Sequence, residues 1–159
     1  EIHERLVGSE MCIRDRDKFE SCILAKEQLM YVVSKKHPMA KKKCMTIEDF
    51  RDENLLMFNV DSVQNELLKN RFDQLKLNPR IIMRSSQLYT TLKFIDNGSC
   101  GCFLFSDMLP HFKQYKGIPL EPPIDVNIGI VWKKGNFLSH SAQLFIDFAM
   151  QYCSENITT

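Results

Sequence analysis

The sequence has no long apolar run and no excess of charge of either sign. Among its 159 residues, 21 are Lys or Arg and 20 are Asp or Glu, so the formal net charge is +1. Binding to nucleic acid phosphates needs clustered positive charge, so we expect no DNA binding by this segment itself. A membrane span needs about 20 consecutive apolar residues, so we expect no membrane association. Lys35-Lys36 and Lys41-Lys42-Lys43 are interpreted as solvated turns.

The sequence also lacks the residue spacings of metal sites and of catalytic groups. His37, His111 and His140 stand apart from any Cys, Asp or Glu at ligand spacing, so we expect no metal and no cofactor. Asp61 and Ser62 have no base and no orienting group in pattern with them, and helix capping explains both. The sequence therefore predicts a protein that is not an enzyme.

Residues 1–16, EIHERLVGSEMCIRDR, have neither a helical nor a strand period. Back-translated, Met11 to Arg16 can be written ATG TGT ATA AGA GAC AGN, which matches the end of a transposon adapter used in short-read sequencing. The preceding residues fit the upstream part of the same adapter. We therefore predict that residues 1–16 are translated adapter and not native protein, and we exclude them from fold reasoning.

The cysteines of the remaining chain do not form an even set with disulfide-type spacing. They are Cys22, Cys44, Cys100, Cys102 and Cys153. Most of them lie inside apolar patterns typical of strands or helices. This favours reduced, buried thiols in a cytoplasmic protein over a disulfide framework.

Apolar patterning predicts strands that alternate with helices. The predicted strands are EQLMYVVS, LLMF, NPRIIMRS, CFLFS, GIPLEPP and IDVNIGIVWKK. The predicted helix starts are Thr46, the capping box of Asp61 and Gln64, Ser85 or Ser86, and Ser139. This order indicates an α/β protein with a parallel or mixed sheet, flanking helices and right-handed crossovers.

Three of the predicted helices carry an apolar stripe that we expect to face inward. The stripes are Val63, Leu67, Leu68, Phe72 and Leu75, then Leu88, Leu92 and Ile95, and finally Ala142, Phe145, Ile146 and Ala149. Asn97-Gly98 is predicted to end the second of these helices.

Ligands of such sheets bind at the carboxyl ends of the strands. Here those ends are marked by the loops Asn59–Gln64 and Arg84–Gln87 and by Phe105-Ser106. Each loop opens a helix whose free N–H groups can hold an anion or a carbonyl oxygen. The alternative, that Ser62, Ser85 and Ser86 only cap helices, stays open for each residue.

Four segments resemble the effector-binding domain of LysR-type transcriptional regulators in order and spacing. They are EQLMYVVSKKHPMAKKK, TIEDFRDENLLMF, RSSQLYTTLKFIDNG and IGIVWKKGNFLSHSAQLFIDF, and the match runs over Phe19–Tyr152. The resemblance implies a bilobed fold like that of type II periplasmic binding proteins. It also implies a cytoplasmic homo-dimer or tetramer that contacts DNA through an N-terminal helix-turn-helix. One departure is Gly98-Ser99-Cys100-Gly101, where the family has Gly-x-Gly.

The resemblance also implies a division of the chain. Residues 17–52 would be a remnant of subdomain I, 53–121 subdomain II, 122–156 a return segment to subdomain I, and 157–159 a tail. One lobe would then be incomplete. DNA would be contacted only through an N-terminal part that this sequence lacks.

The family's ligand contacts fall on the same loops. Carried over by position, they are Asn59, Asp61, Ser62 and Val63, then Ser85, Ser86 and Gln87, and finally Phe105 and Ser106. The implied effector is a small, oxygen-rich or anionic molecule whose binding in the interlobe cleft controls transcription. The alternative is the substrate-binding protein of a transport system, which has the same bilobed fold.

Overall fold

A computed structural model describes residues 18–156 of the chain. The predicted adapter, residues 1–16, and the predicted tail, residues 157–159, lie outside the described residues. The chain forms two compact units, which we name by their place in the sequence. The central unit is Gln28–Asp125, and the flanking unit contains the described residues up to Glu27 and from Val126 onward.

The central unit is built on a mixed sheet. Its strands are the second part of β1 (Phe19–Ser34), β2 (Met45–Thr46), β3 (Asn54–Met57), β4 (Arg80–Arg84), β5 (Gly101–Phe105) and β6 (Tyr115–Glu121). Their order across the sheet is β2-β6-β1-β5-β3-β4. β1 is antiparallel to β5 and β6, whereas β3 is parallel to β4 and β5. The predicted mixed α/β sheet is confirmed, with β1 beginning earlier than expected.

Two helices cover opposite faces of this sheet. Helix α1 (Val63–Gln74) contributes Leu68 and Phe72 to one apolar cluster, and α2 (Leu88–Ile95) contributes Leu92 and Ile95 to another. Neighbouring residues of β1 divide between the clusters because successive side chains of a strand point to opposite faces. Short 3-10 helices at Pro38–Lys41, Ile47–Phe50 and Ser106–His111 connect the strands.

The two ends of α1 differ from the prediction. The N-cap is Ser62 and not Asp61, since the Ser62 Oγ accepts a hydrogen bond from the Asn65 N–H at 3.2 Å. Leu75, predicted to face inward, is 48% exposed. The helix stops at Gln74, and Lys76 adopts a left-handed backbone with φ of 49°. This turn places Leu77 in the core in place of Leu75, with the Leu77 N–H bonded to the Phe72 carbonyl at 2.9 Å.

Aromatic rings fill the core on the α1 side of the sheet. Tyr31 is fully buried, and its ring centroid lies 4.9 Å from that of Phe50 in an edge-to-face contact. Gly101 lies beneath the Tyr31 ring, where a Cβ atom would come within 2.5 Å of the phenol Oη. Gly98, with φ of 77°, makes the turn after α2 as predicted. Gly101, the displaced second glycine of this segment, therefore makes room for the Tyr31 ring.

A polar cluster adjoins these rings. Glu53 Oε2 accepts a hydrogen bond from the Tyr31 hydroxyl at 3.1 Å and lies 3.4 Å from His37 Nε2. The other ring nitrogen of His37, Nδ1, accepts a hydrogen bond from the Met39 N–H at 3.2 Å. Burial lowers the pKa of His37, and the nearby Glu53 carboxylate opposes this shift only in part. Burial and the same carboxylate raise the pKa of Tyr31. His37 is therefore a neutral structural histidine at neutral pH.

The described cysteines are free thiols with different degrees of burial. Cys100 and Cys102 are buried, whereas Cys22, Cys44 and Cys153 are half-buried. Burial raises the pKa of Cys100 and of Cys102, so both remain protonated at neutral pH. We expected most of the cysteines to be buried, and this holds for Cys100 and Cys102, at the start of β5.

The flanking unit pairs the first part of β1 with β7 (Asp125–Lys133) and adds α3 (His140–Asn156). Ser139 caps α3 as predicted, since its Oγ accepts from the Ala142 N–H at 3.2 Å. Ile146 is 5% exposed, as expected, but Phe145 is 61% exposed, so its predicted inward position is wrong. Adjacent residues are ~100° apart around a helix, and the buried face of α3 is narrower than the predicted stripe. Among residues 18–156, no helix is both long and apolar enough to cross a membrane.

Replacing Gly101 with Ala should lower the free energy of unfolding by about 1–3 kcal/mol, because the new methyl group overpacks the core against Tyr31. Gly117→Ala is the matched control: Gly117 also lies in a strand, but a Cβ there meets the flexible end of Leu109. Urea unfolding followed by circular dichroism measures both variants. Equal losses in the two variants would contradict this account of Gly101.

Acid should destabilise the central unit through His37. Because its pKa is lowered from 6.5 in the folded chain, the unfolded chain takes up the proton first as pH falls. The free energy of unfolding therefore keeps its full contribution from neutral His37 above pH 6.5 and decreases as the pH falls below that value. His37→Asn keeps an acceptor for the Met39 N–H but does not titrate. Unfolding free energies measured from pH 8 to pH 5 should fall less steeply for this variant, and parallel curves would exclude a role for His37.

Candidate functional site

Three parallel strands of the central unit end at the same edge of the sheet. The loop after β3 leads through Asn59–Ser62 into α1, the loop after β4 follows Arg84 and contains Ser85–Gln87, and β5 ends at Phe105. The Ser85 N–H donates to the Met57 carbonyl at 3.1 Å, and this hydrogen bond joins the loop after β4 to the end of β3. The structure therefore brings the sequence-predicted site residues to one edge of a single unit.

The loop after β3 is a tight turn that leads into α1. The Ser62 N–H donates to the Asn59 carbonyl at 3.0 Å, and the Ser62 Oγ caps the helix. Asn59, Val60 and Asp61 are exposed, whereas Val63 is half-buried at the first helical position. The helix cap thus occupies the hydroxyl of Ser62, and the residues before it present their side chains to solvent.

The loop after β4 differs from the prediction in its cap. Helix α2 begins at Leu88 with Gln87 as N-cap, and no side chain caps it there. The predicted cap at Ser85 or Ser86 is therefore wrong. The Ser85 Oγ instead accepts from the Gln87 N–H at 3.1 Å, in the turn that directly precedes the helix, and Ser86 is exposed. The Gln87 Oε1 accepts from the Thr90 hydroxyl at 3.0 Å.

The end of β5 is attached to β1. The Ser106 Oγ accepts from the Gln28 N–H at 3.1 Å, so this hydroxyl holds the end of β5 against the middle of β1. Phe105 is half-buried and packs against the cluster on the α1 side of the sheet. Phe105 therefore serves the core as well as the edge.

Sequence reasoning missed the contact between Asn65 and Arg84, which holds this edge together. Asn65 is 6% exposed, and its Nδ2 donates to the Val60 carbonyl at 3.3 Å. Its Oδ1 accepts from Arg84 Nη1 at 2.6 Å, and the same nitrogen donates to the Phe58 carbonyl at 3.2 Å. Two features of the sequence could have pointed to them: a polar residue in the first turn of α1 and an arginine that ends an apolar strand.

The edge offers hydroxyl and amide groups, the carboxylate of Asp61, two helix N-termini and the guanidinium of Arg84. Within residues 18–156, no group of three or more His, Cys, Asp and Glu side chains is placed to hold a metal ion.

Comparison with known proteins identifies a family. A model of the LysR substrate binding domain matches residues 7–154. The chain is 25% identical over 150 residues to the HTH-type transcriptional regulator YwbI of Bacillus subtilis, covering 92% of this chain and 50% of that protein. It is 27% identical over 139 residues to the transcriptional dual regulator GltC of the same organism, covering 84% and 45%. The chain thus spans about half the length of the curated relatives it matches.

Solved structures share the fold. The effector binding domain of QuiR in complex with shikimate has a TM-score of 0.73 at 22% identity, covering 91% of this chain and 69% of that one. The regulatory domain of Synechocystis PCC6803 CcmR in complex with 2-PG has a TM-score of 0.78 at 18% identity, covering 87% and 69%. The predicted α/β fold is confirmed.

Replacing Asn65 with Ala should loosen the loop after β3. The change removes the hydrogen bonds of Asn65 to the Val60 carbonyl and to Arg84, which are worth about 0.5–1.5 kcal/mol for a neutral partner and about 1.5–3 kcal/mol for a charged one. Hydrogen exchange should show faster exchange of the Ser62 amide, and unfolding should need less urea. Asn70→Ala, on the exposed face of the same helix, is the control. Unchanged exchange at Ser62 would mean that Asn65 does not hold the loop.

Proposed function

The chain belongs to the LysR substrate-binding domain family, and from this premise we propose that it senses a small molecule on behalf of a DNA-binding transcriptional regulator. The family match over residues 7–154 is the observation that carries the proposal. The effector binds at the strand-end edge of the central unit. Binding shifts the population of conformers of the regulator, and DNA is contacted by a part outside this sequence.

The residues at that edge favour an oxygen-rich or anionic effector. The N-termini of α1 and α2 open there, and both carry partial positive charge. Serine hydroxyls and amide groups of Asn59 and Gln87 add hydrogen-bonding partners. Related structures are described as complexes with shikimate and with 2-PG, which are both small and rich in oxygen.

The proposal includes the division of the chain. Residues 53–121 are assigned to subdomain II, and residues 17–52 and 122–156 to the incomplete subdomain I. The full-length regulator is a cytoplasmic homo-dimer or tetramer. Residues 1–16 remain assigned to translated adapter.

Two other functions fit less well. A transport binding protein has the same fold, but the relatives YwbI and GltC are named as transcriptional regulators. An enzyme would need a nucleophile or a general base at the edge. The Ser62 and Ser85 hydroxyls there accept hydrogen bonds from backbone N–H groups, and within residues 18–156 neither is hydrogen-bonded to a histidine. We propose that the effector is bound and released unchanged.

A screen of small metabolites should find a compound that raises the melting temperature of the chain. A ligand present at 100 times its Kd stabilises the folded state by about 2.7 kcal/mol. Ser86→Trp should abolish the shift, because an indole at this exposed position obstructs the edge. Asn70→Trp, on the exposed face of α1, should leave it unchanged. A shift that survives in Ser86→Trp would place the ligand elsewhere, and consumption of the compound would indicate an enzyme.

A further inference from the structure

The arginine that ends β4 occupies a special place at the candidate site. Arg84 pairs with Met57 across the sheet, and paired residues of neighbouring strands point to the same face. Met57 belongs to the cluster covered by α1. The Arg84 side chain therefore extends toward the first turn of α1, where Asn65 holds it.

Arg84 is fixed through one end of its guanidinium group. Nη1 donates to two oxygens, the Asn65 Oδ1 at 2.6 Å and the Phe58 carbonyl at 3.2 Å. Both acceptors are neutral. A guanidinium carries five N–H donors in one plane, so Nη2 and Nε keep the paired geometry that fits a carboxylate or phosphate. The side chain is exposed, and a ligand can reach it.

The charge of Arg84 is not balanced by an ion pair. In the part of the chain that the structure describes, ion pairs join Lys42 to Asp49 and Lys93 to Asp96, and none involves Arg84. The guanidinium lies instead at the N-terminal turn of α1, whose dipole also disfavours a cation.

We propose that Arg84 determines the specificity of the site by restricting its effector to compounds with a carboxylate or phosphate group. This inference rests on the proposed function, because it names the ligand class of the same edge. The acid group pairs with the Nη2 and Nε side of the guanidinium. Asn65 and the Phe58 carbonyl hold the Nη1 side, so the arginine is positioned before the ligand arrives. A neutral side chain could bond to Asn65 equally well, but it would not select an anion.

Calorimetric titration of the full chain at constant ionic strength tests the proposal. The acids are shikimate, citrate, glycerol 3-phosphate and inorganic phosphate, and the uncharged compounds are methyl shikimate, glucose and glycerol. The best acid is then titrated into Arg84→Gln, Arg84→Lys and Arg80→Gln. Arg80 is the control because it is exposed and begins the same strand, at the end away from the site. Melting of each variant without ligand reports its fold.

We expect an acid to bind the unaltered chain and Arg80→Gln equally, and to bind Arg84→Gln at least about tenfold more weakly. Arg84→Lys should lose less, since it keeps the charge without the planar fork. Methyl shikimate should bind more weakly than shikimate. Equal affinity in folded Arg84→Gln, or preference for uncharged compounds, overturns the role of Arg84 and leaves the proposed function standing. Binding of no compound at all contradicts both.

Discussion

Parallel pairing of β3 with both β4 and β5 is the constraint on which the candidate site depends. Because parallel strands end at one edge, it brings together loops that are far apart in the sequence, and contacts such as that of Arg84 with the Phe58 carbonyl then join them. Each crossover must also bury a helix face, and α1 and α2 do so on opposite sides of the sheet. The core therefore positions the loops, while exposed residues such as Asp61 and Ser86 do not contribute to it. The residue types at such positions can therefore differ between proteins that bind different ligands, at little cost to the stability of the fold.

The sequence was informative where a local pattern and the tertiary structure agree. Continuous apolar runs predicted β3 and β5, whose residues are buried on both faces. Asn97-Gly98 predicted the end of α2, because glycine readily adopts the left-handed backbone that ends a helix. Ser139 predicted the start of α3 for a similarly local reason. The edge itself followed from the order of strands and helices, which needs no knowledge of exact contacts.

The predictions were wrong where the sequence is compatible with more than one local structure. Asp61 and Ser62 are both suitable N-caps, and the turn from the Asn59 carbonyl to the Ser62 N–H decides between them. The left-handed backbone at Lys76 turns the chain so that Leu77, and not Leu75, enters the core. Nothing in a lysine side chain favours that conformation. The contact between Asn65 and Arg84 joins residues 19 positions apart and depends on the packing of α1 against β4. Periodicity cannot specify such a contact, so sequence reasoning found the loops but missed what fixes them.

Asn65 links the stability of this edge to the orientation of Arg84. Its amide is nearly buried, so each of its polar atoms needs a partner, and Arg84 and the Val60 carbonyl supply them. The same bonds hold the guanidinium in one orientation. Preorganisation of this kind reduces the side-chain entropy that a ligand must overcome, and a planar guanidinium loses less freedom per hydrogen bond than a lysine ammonium does. The contact that satisfies a buried amide therefore also positions the positive charge of Arg84 at this edge, so the loss of Asn65 would affect both.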